Sequence, residues 1–336
     1  MQPKVTLLSW TKDVLETLWM VWQTSRSNEP LDVIVRQTDF NDKQSFANFF
    51  KRIIYEDIPI SEMVDFVFLL ENVSISLREQ LVRHRIGVKV GPGLGVDQIP
   101  DLADSSFWSQ SMRILDMSLF ATKEQYLIPE SIGQNQIAKA IYQTQMQDAQ
   151  ASYRSLAGLG IPLEDARQVI PLGTTHRLVW KLNLASLKKI VGKRGCWILQ
   201  LGLWKPIIMG MIDELCSISP EFRELVAPPC ISQGNFQSCH FCQNNLARIE
   251  GSSDEIPPCP LFMVYCTTPE HKGNYRWKIS SLHTVTTVST IDRNAAARFL
   301  KMCNEYFSFW GGRYFSFSAA GVDSQSNEVT FEIKQQ

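Results

Sequence analysis

Net charge is nearly absent from this chain. Lysine and arginine number 33 against 34 aspartates and glutamates, leaving −1 at pH 7, so no bulk field draws it to nucleic acid or to an anionic membrane surface. Any anion site has to be local. Long apolar runs are missing too: nowhere do about 18 apolar residues follow one another, the length that crossing a bilayer requires. The opening MQPKVTLLSWTKD lacks the extended apolar core of a secretory leader, which makes a cytoplasmic location the expectation. Disulfides are rare in that compartment, so the 8 cysteines read as metal ligands or reduced thiols. What the chain has is ordinary globular material. With 44% hydrophobic and 20% charged residues over 336 positions, it can bury one large domain and a smaller one.

Coarse patterning points to an α+β fold. Val5 to Trp10 is a short apolar run suited to a strand, and Leu15, Leu18 and Trp22 mark a helix after Thr11. Phe46 to Ile54 reads as helical. Ile58 to Leu70 carries Glu62 and then an apolar run through Phe66 and Phe68. Asn135 to Leu156 has the period of a long helix, with Gly158 and Gly160 to stop it.

The stretch SISLREQLVRHR, Ser74 to Arg85, gathers polar donors at one helix end. Ser74 is an N-cap residue by type and Leu77 and Leu81 form an apolar stripe, which leaves Gln80, Arg83 and His84 on the other side. Two guanidiniums flanking an imidazole suit a phosphate-rich ligand, because each planar fork holds two oxygens at once. A basic helix terminus that merely complements the macrodipole has the same composition. Downstream, SQSMR places Ser111 two residues before Arg113, a hydroxyl and a guanidinium that can face one phosphate.

Taken together, RHR, the later Ser-x-Arg, and ARQVIPL at Ala166 to Leu172 resemble the signatures of the flavin-dependent thymidylate synthases, the ThyX family. Residues 86 to 110 form a longer spacer than the family has, and Gly91, Pro92, Gly93, Gly95 and Pro100 mark it as an inserted loop. In NLASLKKIVGKRGCWILQ, Asn183 and Arg194 stand eleven apart, about three helical turns, and Gln200 follows six later. That is the family's spacing. The sequence departs from the family pattern at Pro59, Ala185, Lys189 and Ile198. The resemblance covers residues 4 to 226.

What the resemblance implies is reductive methylation of dUMP at C5, with methylenetetrahydrofolate as carbon donor and NADPH as reductant of FAD. It places Arg83, His84 and Arg85 at the flavin and its folate or nicotinamide partner, with Asn183 and Gln200 also at the cofactor. Gln80, Ser111, Arg113 and Arg167 then hold the nucleotide, Arg194 reads its base, and Arg194, Ser111 and His84 are the residues closest to the chemistry. Family members are homotetramers, so Arg167 is expected to serve a neighbouring subunit's site. Two alternatives stay open: a flavin- and folate-dependent hydroxymethylase or methylase of another pyrimidine nucleotide, and a non-catalytic nucleotide-binding relative.

The domain boundary falls at 227/228, giving a catalytic domain over 1–227 and a cysteine-rich α+β extension over 228–336. Six of the cysteines lie in the extension. Cys239-x2-Cys242 has the spacing of a zinc knuckle, and Cys230 and Cys259, each after a Pro-Pro pair, are candidates to complete a tetrahedral structural site. Cys266, His240 and His271 are rival ligands, and reduced core thiols are the alternative. Leu261 to Cys266, Tyr275 to Ile279, Tyr314 to Phe317 and Val329 to Ile333 read as strands, and Asp292 to Phe309 as a helix.

Overall fold

The structure, a computed structural model, describes residues 2–37, 48–53, 59–82, 105–195, 203–228, 277–282, 285–290, 297, 300, 315–322 and 329–335. The chain divides into two compact units, residues 1–190 with 202–222, and 191–201 with 223–336.

The first unit is built on a four-stranded antiparallel sheet in the order β1-β2-β4-β3. Its strands are β1 (Lys4–Trp10), β2 (Asp65–Ser74), β3 (Ser105–Ser109) and β4 (Thr175–Asn183). Period-2 alternation sets the register. Phe66, Phe68 and Leu70 of β2 sit opposite Leu182, Trp180 and Leu178 of β4, and all six are fully buried. A slip by one residue would expose that whole row to water, at roughly 1.5–3 kcal/mol for each large side chain. Phe107 of β3 extends the row, stacked on Trp180 with ring centroids 5.3 Å apart. The other face alternates charge: Lys181 pairs with Asp65 at 2.8 Å, and Arg177 with Glu71 at 3.2 Å.

Helices accompany the strands along the chain. They are α1 (Val14–Thr24), α2 (Leu31–Gln37), α3 (Ile75–Leu81), α4 (Glu130–Gly133), α5 (Gln136–Gly158), α6 (Leu163–Ala166), α7 (Leu184–Arg194), α8 (Trp204–Ile218) and α9 (Phe222–Leu225). Residues 48–53 are also helical. Helix α8 buries Trp204, Ile207, Ile208, Met211, Ile212 and Leu215, a stripe at helical spacing, and packs on β1. Gly210 is required there, since a Cβ would stand 2.8 Å from Val5 Cγ2. One turn on, Glu214 Oε2 accepts from the Leu7 backbone N–H at 2.8 Å, where the ladder between β1 and β2 is irregular.

A second cluster lies under α5. Asn135 caps this helix, its Oδ1 accepting from the Ile137 and Ala138 N–H groups at 3.0 and 3.1 Å. Met146, Ala149 and Tyr153 pack with Met117, Phe120, Ala121, Tyr126 and Ala166. Gln150 is the polar clamp: its Oε1 accepts from the Ala121 and Thr122 N–H groups at 2.8 and 3.0 Å. Segment 172–175 ties this cluster to the sheet. Leu127 N–H donates to the Gly173 carbonyl and Thr175 N–H to the Gln125 carbonyl, both at 2.9 Å, while Ile75 and Ser76 N–H donate to the Thr174 and Leu172 carbonyls at 3.0 Å.

The second unit contains another four-stranded antiparallel sheet, β5-β6-β8-β7, made of β5 (Trp277–Leu282), β6 (Val285–Thr290), β7 (Phe315–Val322) and β8 (Val329–Gln335). Ile279 faces Val288, and Val288 faces Phe331, which is buried. The expected strand over 261–266 and most of the helix over 292–309 lie outside the described residues, of which 297 and 300 are helical. Among the described residues no helix is long and apolar enough to cross a membrane.

Candidate functional site

Ser74 caps α3 as its residue type requires, its Oγ accepting from the Leu77 N–H at 3.2 Å, with Leu77 and Leu81 buried beneath. Gln80 stands exposed on the last turn, where its Oε1 accepts from the indole N–H of buried Trp204 at 2.9 Å. Helix α3 therefore meets the N-terminus of α8 through a residue read as a ligand contact. Arg83, His84 and Arg85 lie beyond, outside the described residues, as do Gln200 and the cysteines Cys230, Cys239, Cys242 and Cys259.

Ser111 opens a turn directly after β3. Gln110 fixes the approach: its N–H donates to the Arg177 carbonyl at 2.9 Å, and its Oε1 accepts from the Arg177 N–H at 3.1 Å. Ser111 Oγ accepts from the Arg113 N–H at 3.3 Å, and the Ile114 and Leu115 N–H groups both donate to the Ser111 carbonyl at 3.3 Å. The hydroxyl and the guanidinium are thus held on one tight turn.

The guanidinium of Arg113 reaches across to α6. Its Nη2 lies 2.8 Å from Glu164 Oε2. Arg167, in the 3-10 turn that continues α6, donates from Nε to the Glu164 carbonyl at 3.0 Å and places Nη2 3.9 Å from Glu164 Oε1. The sequence separates Arg113 and Arg167 widely, yet within this chain they converge on one carboxylate. Their side chains keep 59% and 31% of their exposure, and Glu164 keeps 49%, so a solute can reach them. Two guanidinium forks around one pair of oxygens form a donor set that fits a phosphate group.

Asn183 is buried at the end of β4. Its Oδ1 accepts from the Ser186 N–H at 2.8 Å, so it caps α7 from just outside the helix, and its amide NH2 is the donor it can offer a ligand. Arg194 closes α7, and burial pushes its guanidinium pKa below the ordinary value. Asn183 belongs to the first unit and Arg194 to the second.

Three participants went unread in the sequence. Glu164 had a local signal, three residues before Arg167 on a helical turn, but its bond to Arg113 is non-local. Trp204 had no signal in the sequence that tied its indole N–H to Gln80. His176 sits at the end of the inward-facing row of β4, 4% exposed. Burial first, and then the Arg78 guanidinium, push its pKa down to about 4. A separate cleft of about 650 Å³, lined by Leu127, Ile128, Pro129, Lys139, Pro206 and Met209 among others, contains none of the site residues read from the sequence. Among the described residues no group of His, Cys, Asp or Glu is placed to hold a metal.

Comparison with known proteins bears on the family and the fold. A flavin-dependent thymidylate synthase from Thermococcus onnurineus is 25% identical over 244 residues, covering 69% of this chain and 87% of the relative. Another, from Nitratidesulfovibrio vulgaris, is 30% identical over 207 residues, covering 58% of this chain and 75% of the relative. The crystal structure of a UMP/dUMP methylase from Streptomyces cacaoi bound with 5-Br dUMP superposes with a TM-score of 0.51 at 18% identity, over 67% of this chain and 94% of that one. It shares the fold. The family model described as thymidylate synthase complementing protein matches residues 6–200, the segment that carries β1 to β4 and the pairing of Arg113 and Arg167 with Glu164, and the chain belongs to that family.

Proposed function

We propose that this protein is a flavin-dependent thymidylate synthase that methylates dUMP at C5. The convergence of Arg113 and Arg167 on one exposed carboxylate carries this conclusion, because it puts two motif arginines where a single nucleotide phosphate can engage both. Ser111, on the same turn as Arg113, supplies a hydroxyl donor, and Gln80 a side-chain amide. Arg194 reads the pyrimidine: a guanidinium has only donors, and uracil offers two carbonyl acceptors where cytosine offers one. When bound, FAD supplies the hydride, so the chain needs no cysteine nucleophile. Its residues act by orienting the base and stabilising developing charge.

Arg83, His84, Arg85, Asn183 and Gln200 hold the flavin, with methylenetetrahydrofolate as carbon donor and NADPH as reductant. Support comes from the family match and from the spacing of these residues. The working assembly is a homotetramer. Trp108, Ile137 and Ile141, 80%, 75% and 67% exposed, are apolar surface that a subunit interface would cover. In the extension, Cys230, Cys239, Cys242 and Cys259 bind a structural zinc. The location is cytoplasmic.

The test is to incubate purified protein with FAD, dUMP, methylenetetrahydrofolate and NADPH and to weigh the nucleotide product. A gain of one methyl group is expected. A hydroxymethyl product, or conversion of a different pyrimidine nucleotide in preference, would replace this assignment with a related one. A protein that binds dUMP but neither FAD nor folate would be a non-catalytic relative.

A further inference from the structure

We propose that Glu164 is a counter-anion built into the phosphate cradle, which keeps weak anions out and yields to a phosphate dianion. This rests on the phosphate reading of Arg113 and Arg167. Glu164 sits in the first turn of α6, which Pro162 opens, its carbonyl accepting from the Asp165 and Ala166 N–H groups at 2.9 Å. From that turn its two carboxylate oxygens are divided between the arginines, Oε2 at 2.8 Å from Arg113 and Oε1 at 3.9 Å from Arg167. A phosphate presents oxygens to the same forks. The carboxylate already takes the Arg113 Nη2 donor and neutralises part of the charge beside Arg167, so the two anions compete.

Charge decides the competition. With the carboxylate in place the three side chains sum to one positive charge, too little to offset a phosphate monoester, which carries about −1.5 to −2 at neutral pH. With the carboxylate turned out to solvent the two guanidiniums match the dianion. Nothing covalent opposes that turn: Glu164 is half-exposed, and Arg167 Nε stays bonded to the Glu164 backbone carbonyl rather than to its side chain. The backbone bond keeps Arg167 oriented after the carboxylate leaves. A monoanion gains less from the swap, because it only replaces one unit charge with another.

Glu164→Gln tests this, since it keeps the shape and one acceptor oxygen while removing the charge. Binding of dUMP and of deoxyuridine to the FAD-loaded protein is measured by calorimetry for both forms, with melting temperatures as a folding control. Exposed ion pairs of this kind are weak, so losing the competitor should tighten dUMP by roughly three- to tenfold and leave deoxyuridine unchanged. Adding Arg113→Ala should abolish most of that gain. If wild-type protein prefers dUMP to deoxyuridine but Glu164→Gln binds dUMP no more tightly, or more weakly, Glu164 is not a competitor and the inference fails alone. If the wild type does not distinguish dUMP from deoxyuridine, the cradle itself is misassigned and both fall.

Discussion

His176 makes acid stability a quantitative prediction. Folded, the imidazole titrates near pH 4; in the unfolded chain a histidine titrates near 6.5. Between those values the unfolded state binds a proton that the folded state refuses, so stability falls as the pH drops from about 6.5 toward 4 and is insensitive to this group outside the window. Each pH unit crossed costs about 1.4 kcal/mol, and the whole window roughly 3 kcal/mol. Little solvent screening applies, because the ring is 4% exposed. The charged neighbours oppose one another: Arg78 disfavours the cation and Glu79 favours it, and the two pair with each other at 2.6 Å. A backbone hydrogen bond with Val73 also favours the cation, more than Glu79 does. The perturbation is His176→Leu, and the assay is urea unfolding at a series of pH values. Carboxylates add their own acid sensitivity to both proteins, so the informative quantity is the difference between them. Wild type should lose roughly 3 kcal/mol more than the variant between pH 7 and 4. At pH 7 the ring is neutral in both states, so the stability of each protein there is the reference from which its acid loss is measured. Parallel pH profiles would show that His176 does not carry this acid sensitivity.

Three further outcomes are expected. Gln150→Leu strips the Ala121 and Thr122 N–H groups of their acceptor and should cost about 2–4 kcal/mol in urea unfolding, because buried donors left unpaired carry their desolvation penalty. Arg194→Ala should abolish turnover of dUMP while the purified protein keeps much of its yellow flavin absorbance, separating base recognition from cofactor binding. Elemental analysis should find about one zinc per chain, lost when Cys239 and Cys242 are replaced by serine; metal-free protein with unchanged melting behaviour would leave those cysteines as reduced thiols.

Elements whose signals are local could be read from the sequence. Ser74 with Leu77 and Leu81, and Asn135 at the head of a long helix, each combine a terminal residue with a periodic run, and both fold accordingly. Strand β4 was harder. Its inward row contains His176, and its outward row contains Arg177 and Lys181, so the alternation is masked by residues of ambiguous preference; only pairing on both sides, with β2 and β3, makes it a strand. Strand β6, VTTVST, has too few large apolar residues to announce itself and gains its place from neighbours β5 and β8. Arg113 and Arg167 stand out in the sequence by type and spacing, whereas Glu164 does not. An acidic residue on a short helix is usually solvated, and its bond to Arg113 depends on tertiary folding that brings β3's turn to α6.

The proposed reaction takes a uracil deoxynucleotide and methylates it with reduced flavin. The most direct measurement compares dUMP and dCMP as substrates for the FAD-loaded protein with methylenetetrahydrofolate and NADPH, following the product by mass. A guanidinium that pairs with both uracil carbonyls is left partly unpaired by cytosine, so dUMP should gain a methyl group and dCMP should react at least ~100-fold more slowly, a difference of about 2.7 kcal/mol in the barrier. Faster conversion of dCMP, or no methyl transfer to dUMP by protein that has bound FAD, would contradict it.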